Sequence, residues 1–159
     1  MLIIKKLSNE FAKQQQEIQA VADIETLVQM QDAWSYQALS ELLEQDSVRL
    51  MLVINSVGDE VVAYCLYQVI FEQAEILRIG THPNYQRQGI ASQLLMALNN
   101  ELKANNVNSL LLEVRADNRP AIALYKQQGF ILIHCRKGYY QQPHDSAIDA
   151  LIMQLNYDE

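Results

Sequence analysis

A chain of 159 residues, half of them apolar and 19% charged, is long enough for one domain with a sizeable core, and its balance is that of a soluble globular protein. A net charge of −7 argues against a broad basic surface for nucleic acid, whose binding draws mainly on neutralised phosphates, and is compatible with a cationic partner. No apolar run reaches transmembrane length, and Met1-Leu-Ile-Ile-Lys-Lys lacks the features of a signal peptide, so a cytoplasmic protein away from membranes is expected, with a monomer as the default. Cys65 and Cys135 stand outside any motif and read as reduced thiols. His82, His134 and His144 are scattered without metal-ligand spacing, so no metal site is expected.

Residues 2–7 read as a first strand. Residues 9–30 are rich in Gln, Glu and Ala, and Ile18, Val21, Ala22, Leu27 and Val28 recur at a spacing that suits one or two helices. Ser35 can cap a further helix through Leu43, its hydroxyl meeting an orphaned N–H. Trp34, the only tryptophan, stands just before that cap and reads either as core or as the wall of a substrate site. Residues 48–55, 60–71 and 75–81 are three strands of an antiparallel meander, the first two joined by the turn Ser56-Val57-Gly58-Asp59. A helix over 89–105 carries Ile90, Leu94, Leu98 and Leu102 at four-residue steps, with Ala91 and Leu95 widening the stripe. A strand of leucines over 109–114 holds Glu113. Asn118 as N-cap, Pro120 in the first turn and Gly129 as the stop delimit a short helix over 119–128 carrying Tyr125. Residues 131–140 and 147–155 finish as a hairpin around Gln141-Gln142-Pro143-His144-Asp145. The crossover through the 89–105 helix makes strands 75–81 and 109–114 parallel neighbours with their C-terminal ends at one edge.

Three groups at that edge could carry chemistry. Gln86-Arg87-Gln88-Gly89-Ile90-Ala91 leads from the turn His82-Pro83-Asn84 into a helix. It is either an ordinary connection or a row of free backbone N–H groups that binds an anion at an electropositive helix end. Alternation puts Leu111, Glu113 and Arg115 on one face of their strand. Glu113 is then either the partner of Arg115 or a general base working through a water. Tyr125 is either a core residue with its hydroxyl at the rim or a proton donor to a departing thiolate, since a phenol near pKa ~10 can protonate a thiolate whose conjugate acid lies near ~8.5. Tyr139 and Tyr140 follow Arg136-Lys137-Gly138 as an aromatic pair at a strand end.

Gln86-Arg87-Gln88-Gly89-Ile90-Ala91 resembles the acyl-CoA pyrophosphate loop of the GCN5-related N-acetyltransferases, Gln/Arg-x-x-Gly-x-Gly/Ala. Asn118-x-x-Ala121-x-x-Leu124-Tyr125 with Gly129-Phe130 resembles the same superfamily's second CoA motif, and the two together cover about residues 75–130. Within that superfamily, Leu112-Glu113-Val114-Arg115, Arg136-x-x-Tyr139-Tyr140, Asp149-Ala150-x-x-Met153 and Trp34-Ser35 are similar to the bacterial RimI branch, which acetylates the N-terminal alanine of the eighteenth small-subunit ribosomal protein. The chain departs from that branch at Thr81, usually more apolar, at Ala91, where Gly is commoner, and at Gln31-Asp32-Ala33, which lacks an aromatic–proline pair.

The resemblance implies an α+β fold: a mixed, mostly antiparallel sheet of about seven strands, helices on both faces, and a splayed parallel pair in the middle. It implies acetyl-CoA as co-substrate. Backbone N–H groups of Arg87, Gln88, Gly89, Ile90, Ala91 and Ser92 would hold the pyrophosphate. Ile79, Gly80 and Thr81 would pair with the pantetheine like an added strand, one N–H polarising the thioester carbonyl. Asn118 would contact the cofactor, Glu113 would be the base and Tyr125 the acid. Trp34, Tyr139 and Tyr140 fall on the acceptor side. An α-amine, with pKa about 7.7–8.0, is roughly a tenth neutral near pH 7, so one carboxylate relaying through water suffices, whereas a lysine near ~10.4 needs stronger help. Other acceptors, a lysine or a small amine, and a non-catalytic acyl-CoA-binding regulatory domain are the competing expectations. A P-loop NTPase is excluded for want of Gly-x-x-x-x-Gly-Lys-Ser/Thr.

Overall fold

A seven-stranded sheet flanked by four α-helices forms the computed structural model, which describes residues 1–29, 31–142 and 146–157. The order along the chain is β1 (Leu2–Lys6), α1 (Phe11–Val28), α2 (Tyr36–Leu42), β2 (Val48–Asn55), β3 (Glu60–Ile70), β4 (Gln73–Thr81), α3 (Ile90–Ala104), β5 (Ser109–Arg115), α4 (Arg119–Gln127), β6 (Ile131–Tyr140) and β7 (Ile148–Asn156). A single 3-10 turn, Pro83–Tyr85, follows β4. The Gln- and Glu-rich run forms one helix, and β4 begins two residues before the expected start. Pro143, His144 and Asp145 of the expected hairpin turn, and Met30, lie outside the described residues. Among the described residues no helix is long and apolar enough to cross a membrane.

The caps act as their chemistry requires. Ser35 Oγ accepts from Ala38 N at 3.2 Å and Asn118 Oδ1 from Ala121 N at 3.3 Å, each satisfying an N–H that has no carbonyl one turn back. The α3 stripe buries Ile90, Leu94, Leu95, Leu98 and Leu102 against one sheet face, together with Tyr125 and Phe130. Each such leucine stabilises by about 1.5–3 kcal/mol on burial, which seats the N-terminus of α3 beside β4. On the opposite face α1 and α2 bury Ile18, Val21, Ile24 and Leu39 against Leu52, Tyr64 and Leu66.

The strands lie in the order β1-β2-β3-β4-β5-β7-β6, with β7 between β5 and β6. Only β4 and β5 are parallel, and they pair over three residues, from Gln73↔Ser109 to Glu75↔Leu111. A bulge starts their separation. Leu66 faces Arg78 and Tyr67 faces Ile76, so Leu77 is an extra residue in β4. An extra residue bends a strand and reverses its side-chain alternation. Ala74 and Ile76 pack with the α3 cluster before the bulge, and Ile79 returns to it afterwards. Leu77 packs on the α1 side, and Gly80 lies against Tyr64 there. Beyond Glu75 the β5-facing edge of β4 carries no sheet partner.

Candidate active site

Two cavities meet in the gap that the splayed strands leave. The first, about 550 Å³, lies under the 86–92 segment and is lined by Gly80, Thr81, Arg87, Gly89, Ile90, Ala91 and Ser92. The second, about 440 Å³, holds Arg78, Glu113, Arg115, Tyr139 and Tyr140. Ile79, Asn118 and Tyr125 line both.

The first cavity is shaped by backbone. His82 Nδ1 accepts from Asn84 N at 3.1 Å and starts the 3-10 turn. The Tyr85 hydroxyl accepts from Asn55 Nδ2 at 3.1 Å and donates to Glu60 Oε1 at 3.1 Å, which pins the turn to the sheet. Arg87 and Gly89 then take left-handed conformations, φ +64° and +79°. Nothing lies within 4 Å of where a Cβ on Gly89 would sit, so its positive φ, not crowding, favours glycine. The first α3 bond runs from Gln93 N to Gly89 O at 3.1 Å, and Gly89 has no side-chain cap. The N–H groups of Gly89, Ile90, Ala91 and Ser92 therefore have no partner one turn back. Left-handed residues beside a helix start make such N–H groups converge into an anion-binding concavity.

Gln88 does not line this cavity: its side chain turns back to the Asn84 carbonyl at 3.5 Å. Asn118 uses its carbonyl oxygen as a cap, which leaves its amide NH₂ for a ligand. Ser92 Oγ accepts from Gln128 Nε2 at 2.9 Å, tying α3 to α4. Pro120, Ala121, Leu124 and Gln127 also line the cavity. Ala121 and Leu124 belong to the second CoA-type motif, whereas Pro120 and Gln127 were not tied to the cofactor from sequence, although their spacing on the helix after Asn118 was a usable signal.

The second cavity is built of side chains. Glu113 Oε2 accepts from the Tyr140 hydroxyl at 2.9 Å, and Oε1 lies 3.6 Å from Arg136 Nη1. The Glu113–Arg115 pair is not made. Arg115 instead grips Asp117 through Nε and Nη2, both at 3.0 Å, which lowers the Asp117 pKa and raises its own. Its guanidinium lies over the Tyr140 ring, 5.3 Å from the centroid. Burial first, and the bond to Glu113 second, push the Tyr140 phenol up, so it stays protonated and donates. Tyr139 meets Tyr140 edge to face at 5.2 Å. A register shift in β6 between Arg136 and Tyr140 presents the pair, with Gly138 at φ +61° donating its N–H to Asp149 Oδ1 at 2.8 Å.

Tyr125 is buried on α4, edge to face with Phe130 at 5.7 Å. Burial pushes its phenol pKa up. No hydrogen bond contributes to that shift, and the side chain lines both cavities, so the hydroxyl is not sealed in. Trp34 lines neither cavity. Its backbone N–H donates to Glu25 Oε1 at 2.9 Å and its ring lies 4.4 Å under the Arg78 guanidinium.

The model of the Acetyltransferase (GNAT) family matches residues 10–130. The chain belongs to the GNAT family. It is an N-acetyltransferase. The [ribosomal protein bS18]-alanine N-acetyltransferase of Haemophilus ducreyi is 35% identical to this GNAT chain over 114 residues, 72% of this chain and 79% of the relative. The crystal structure of the ribosomal-protein-S18-alanine N-acetyltransferase from Escherichia coli superposes with a TM-score of 0.85 at 31% identity, covering 100% of this chain and 96% of the other. Arabidopsis thaliana NAA60, solved in complex with acetyl-CoA, shares the fold with a TM-score of 0.79 at 14% identity, over 98% of each chain. The GNAT fold thus includes the central parallel pair that opens the two cavities.

Within this GNAT chain neither thiol suits a covalent carrier. Cys65 is fully buried, and burial pushes its thiol pKa up, away from the reactive thiolate. Cys135 lies 3.7 Å from Asp149 Oδ2 and lines neither cavity.

Proposed function

We propose that this acetyltransferase moves acetyl from acetyl-CoA directly to the N-terminal α-amine of a protein, with the N-terminal alanine of ribosomal protein bS18 as the first candidate acceptor. The observation that carries the reading is Tyr125, a buried phenol that lines both cavities at their junction. A donor there can reach a group entering from either side.

The first cavity fits acetyl-CoA. The free N–H groups of Gly89, Ile90, Ala91 and Ser92, with Arg87 in the same loop, face the pyrophosphate. The unpaired edge of β4 at Ile79, Gly80 and Thr81 takes the pantetheine as a strand would, and one N–H there polarises the thioester carbonyl. Asn118 adds its amide NH₂. Acetyl-CoA supplies the activated acetyl group. The chain's own residues handle orientation and protons.

Glu113 is the base. It takes the proton of the incoming amine through a water, while Tyr140 and Arg136 fix its carboxylate in the second cavity. Tyr125 is the acid. The burial that keeps it protonated also disfavours a bare thiolate, so the proton passes from the phenol to the departing sulfur. Tyr139 and Tyr140 frame the acceptor entrance, and Trp34 supports the wall behind it. The relatives named for bS18 N-acetylation support an α-amine acceptor.

The test is direct. The purified chain is incubated with acetyl-CoA and either a peptide beginning with Ala-Arg or an N-terminally blocked peptide bearing internal Lys, and the products are sequenced by mass spectrometry. Acetyl on the α-amine is expected. Transfer to lysine alone overturns the α-amine reading, and CoA binding without transfer to any amine points to a regulatory domain.

A further inference from the structure

Arg78 follows the extra residue of the β4 bulge, and the reversed alternation there sends its side chain toward α1 instead of α3. Its Nη1 lies 3.4 Å from Asp32 Oδ2, its Nη2 donates to the Asp32 backbone carbonyl, and its Cζ sits 4.4 Å over the Trp34 ring. The third side of the guanidinium faces Glu25, with Nε 3.3 Å from Oε1. That Nε is out of line for a hydrogen bond and, among the described residues, is the one buried side-chain nitrogen or oxygen without a partner, so the contact is Coulombic. Glu25 is fully buried and held by the Trp34 N–H and the Tyr64 hydroxyl. The carboxylate thus anchors Arg78 from inside the fold, while Arg78 reaches out to the Gln31–Trp34 segment at three points. Gln31, Asp32 and Arg78 all line the cavity that holds Glu113 and Tyr140.

We propose that Arg78 is a positioning residue of the acceptor side: it clamps the Gln31–Trp34 segment onto the mouth of the Glu113 cavity and so sets acceptor affinity, while leaving the acetyl-CoA cavity alone. This rests on the reading that the Glu113 cavity receives the acceptor. The grip needs a planar guanidinium, which can touch an aromatic face, a carbonyl and a carboxylate at once; an ammonium cannot. Arg78 lines only the second cavity, which is why its effect separates between the two substrates. Trp34 is the only tryptophan and sits in the clamp, so its emission reports the clamp without any turnover.

The experiment uses the full chain, acetyl-CoA and a peptide beginning with Ala-Arg. Arg78→Met raises the acceptor KM about tenfold or more, leaves the acetyl-CoA KM within about twofold, and shifts Trp34 emission to the red. Arg78→Lys keeps the charge and still raises the acceptor KM. Asp32→Ala alters an exposed side chain and leaves the carbonyl contact, so it raises the acceptor KM about two- to threefold and adds nothing in the Arg78→Met background. An acceptor KM that stays put in folded Arg78→Met, or one that rises equally with the acetyl-CoA KM, overturns the proposal. Where Arg78→Met fails to fold, an unmoved acceptor KM in Asp32→Ala overturns it. A wild-type chain that acetylates no α-amine overturns the acceptor reading instead, and an unshifted Trp34 spectrum in Arg78→Met then overturns the clamp by itself.

Discussion

A Cβ added at Gly80 would lie 2.7 Å from Tyr64 Oη and 2.9 Å from its Cε1 and Cζ. Ordinary contacts between such atoms are about 3.5–4.0 Å, so in Gly80→Ala the ring must retreat by roughly 1 Å. It has little room. Tyr64 is fully buried, and its hydroxyl is bonded to Glu25, which is itself sealed and holds Trp34 and Arg78. Overpacking of this kind costs about 1–3 kcal/mol, and weakening the phenol–carboxylate bond moves the total to the upper part of that range, about 2–3 kcal/mol. For a chain of this size about 2–4 °C of Tm accompanies each kcal/mol, so a thermal melt should fall by about 4–12 °C. The acetyl-CoA KM should rise as well, because Gly80 lies on the unpaired β4 edge. Tyr64→Phe leaves a Glu25 oxygen without its donor and should cost about 1–3 kcal/mol alone. In Gly80→Ala that bond is already displaced, so the double variant should be destabilised by less than the sum. A Gly80→Ala melt within about 1 °C of wild type would refute the tight packing of Tyr64 on β4.

Three further outcomes are expected. Tyr125→Phe should lower kcat by about 10²–10⁴-fold with the acetyl-CoA KM within about twofold and an unchanged melt; a kcat within about threefold of wild type would remove Tyr125 as the acid. Glu113→Gln should leave acetyl-CoA binding intact by calorimetry and fall further behind wild type as pH drops from 8 to 6, since the neutral share of an α-amine declines about tenfold per unit below its pKa; weakened cofactor binding would instead make Glu113 structural. Burial pushes up the phenols of Tyr64, Tyr67, Tyr125 and Tyr140, Tyr67 to about 12. A pKa raised in the folded state gives stability that is complete below the unfolded value near ~10 and is lost as pH climbs toward 12, so the urea midpoint should be lower at pH 11 than at pH 9; equal midpoints would contradict the burial of these hydroxyls.

The parts of the fold legible in the sequence are those fixed by neighbours along the chain. The four-residue stride from Ile90 to Leu102 marks the buried face of α3, Ser35 and Asn118 mark helix starts, and alternation in β5 separates Glu113 from Leu112 and Val114. The β4 bulge leaves no such mark. Ile76-Leu77-Arg78-Ile79 reads as an uninterrupted strand, and the extra residue exists only relative to the pairing partner in β3. The place of β7 between β5 and β6 is equally a matter of tertiary pairing: periodicity identifies two final strands without saying which of them joins β5.

The site divides in the same way. Its contiguous loop was readable, and its side-chain pairs were not. Arg115 had two carboxylates within two residues and takes Asp117, whose geometry allows both guanidinium bonds, while Glu113 draws Tyr140 from 27 positions away. Glu25 lies in a polar-rich run that suggests a solvated face, yet Tyr64 from 39 positions away helps to bury it. The two carboxylates, Glu25 on α1 and Glu113 on β5, sit in contrasting environments that bear on mechanism. Glu25 is 0% exposed, and its oxygens are taken up by the Trp34 N–H, the Tyr64 hydroxyl and the Arg78 guanidinium. A carboxylate in that state has no path to a water and no free lone pair directed at a cavity. Glu113 keeps 26% of its side chain exposed, lines the cavity, and has one hydrogen-bonded donor and one looser cation. Of the two, only Glu113 opens into a cavity, which supports the proposal that Glu113 serves as the base while the sealed Glu25 holds the frame.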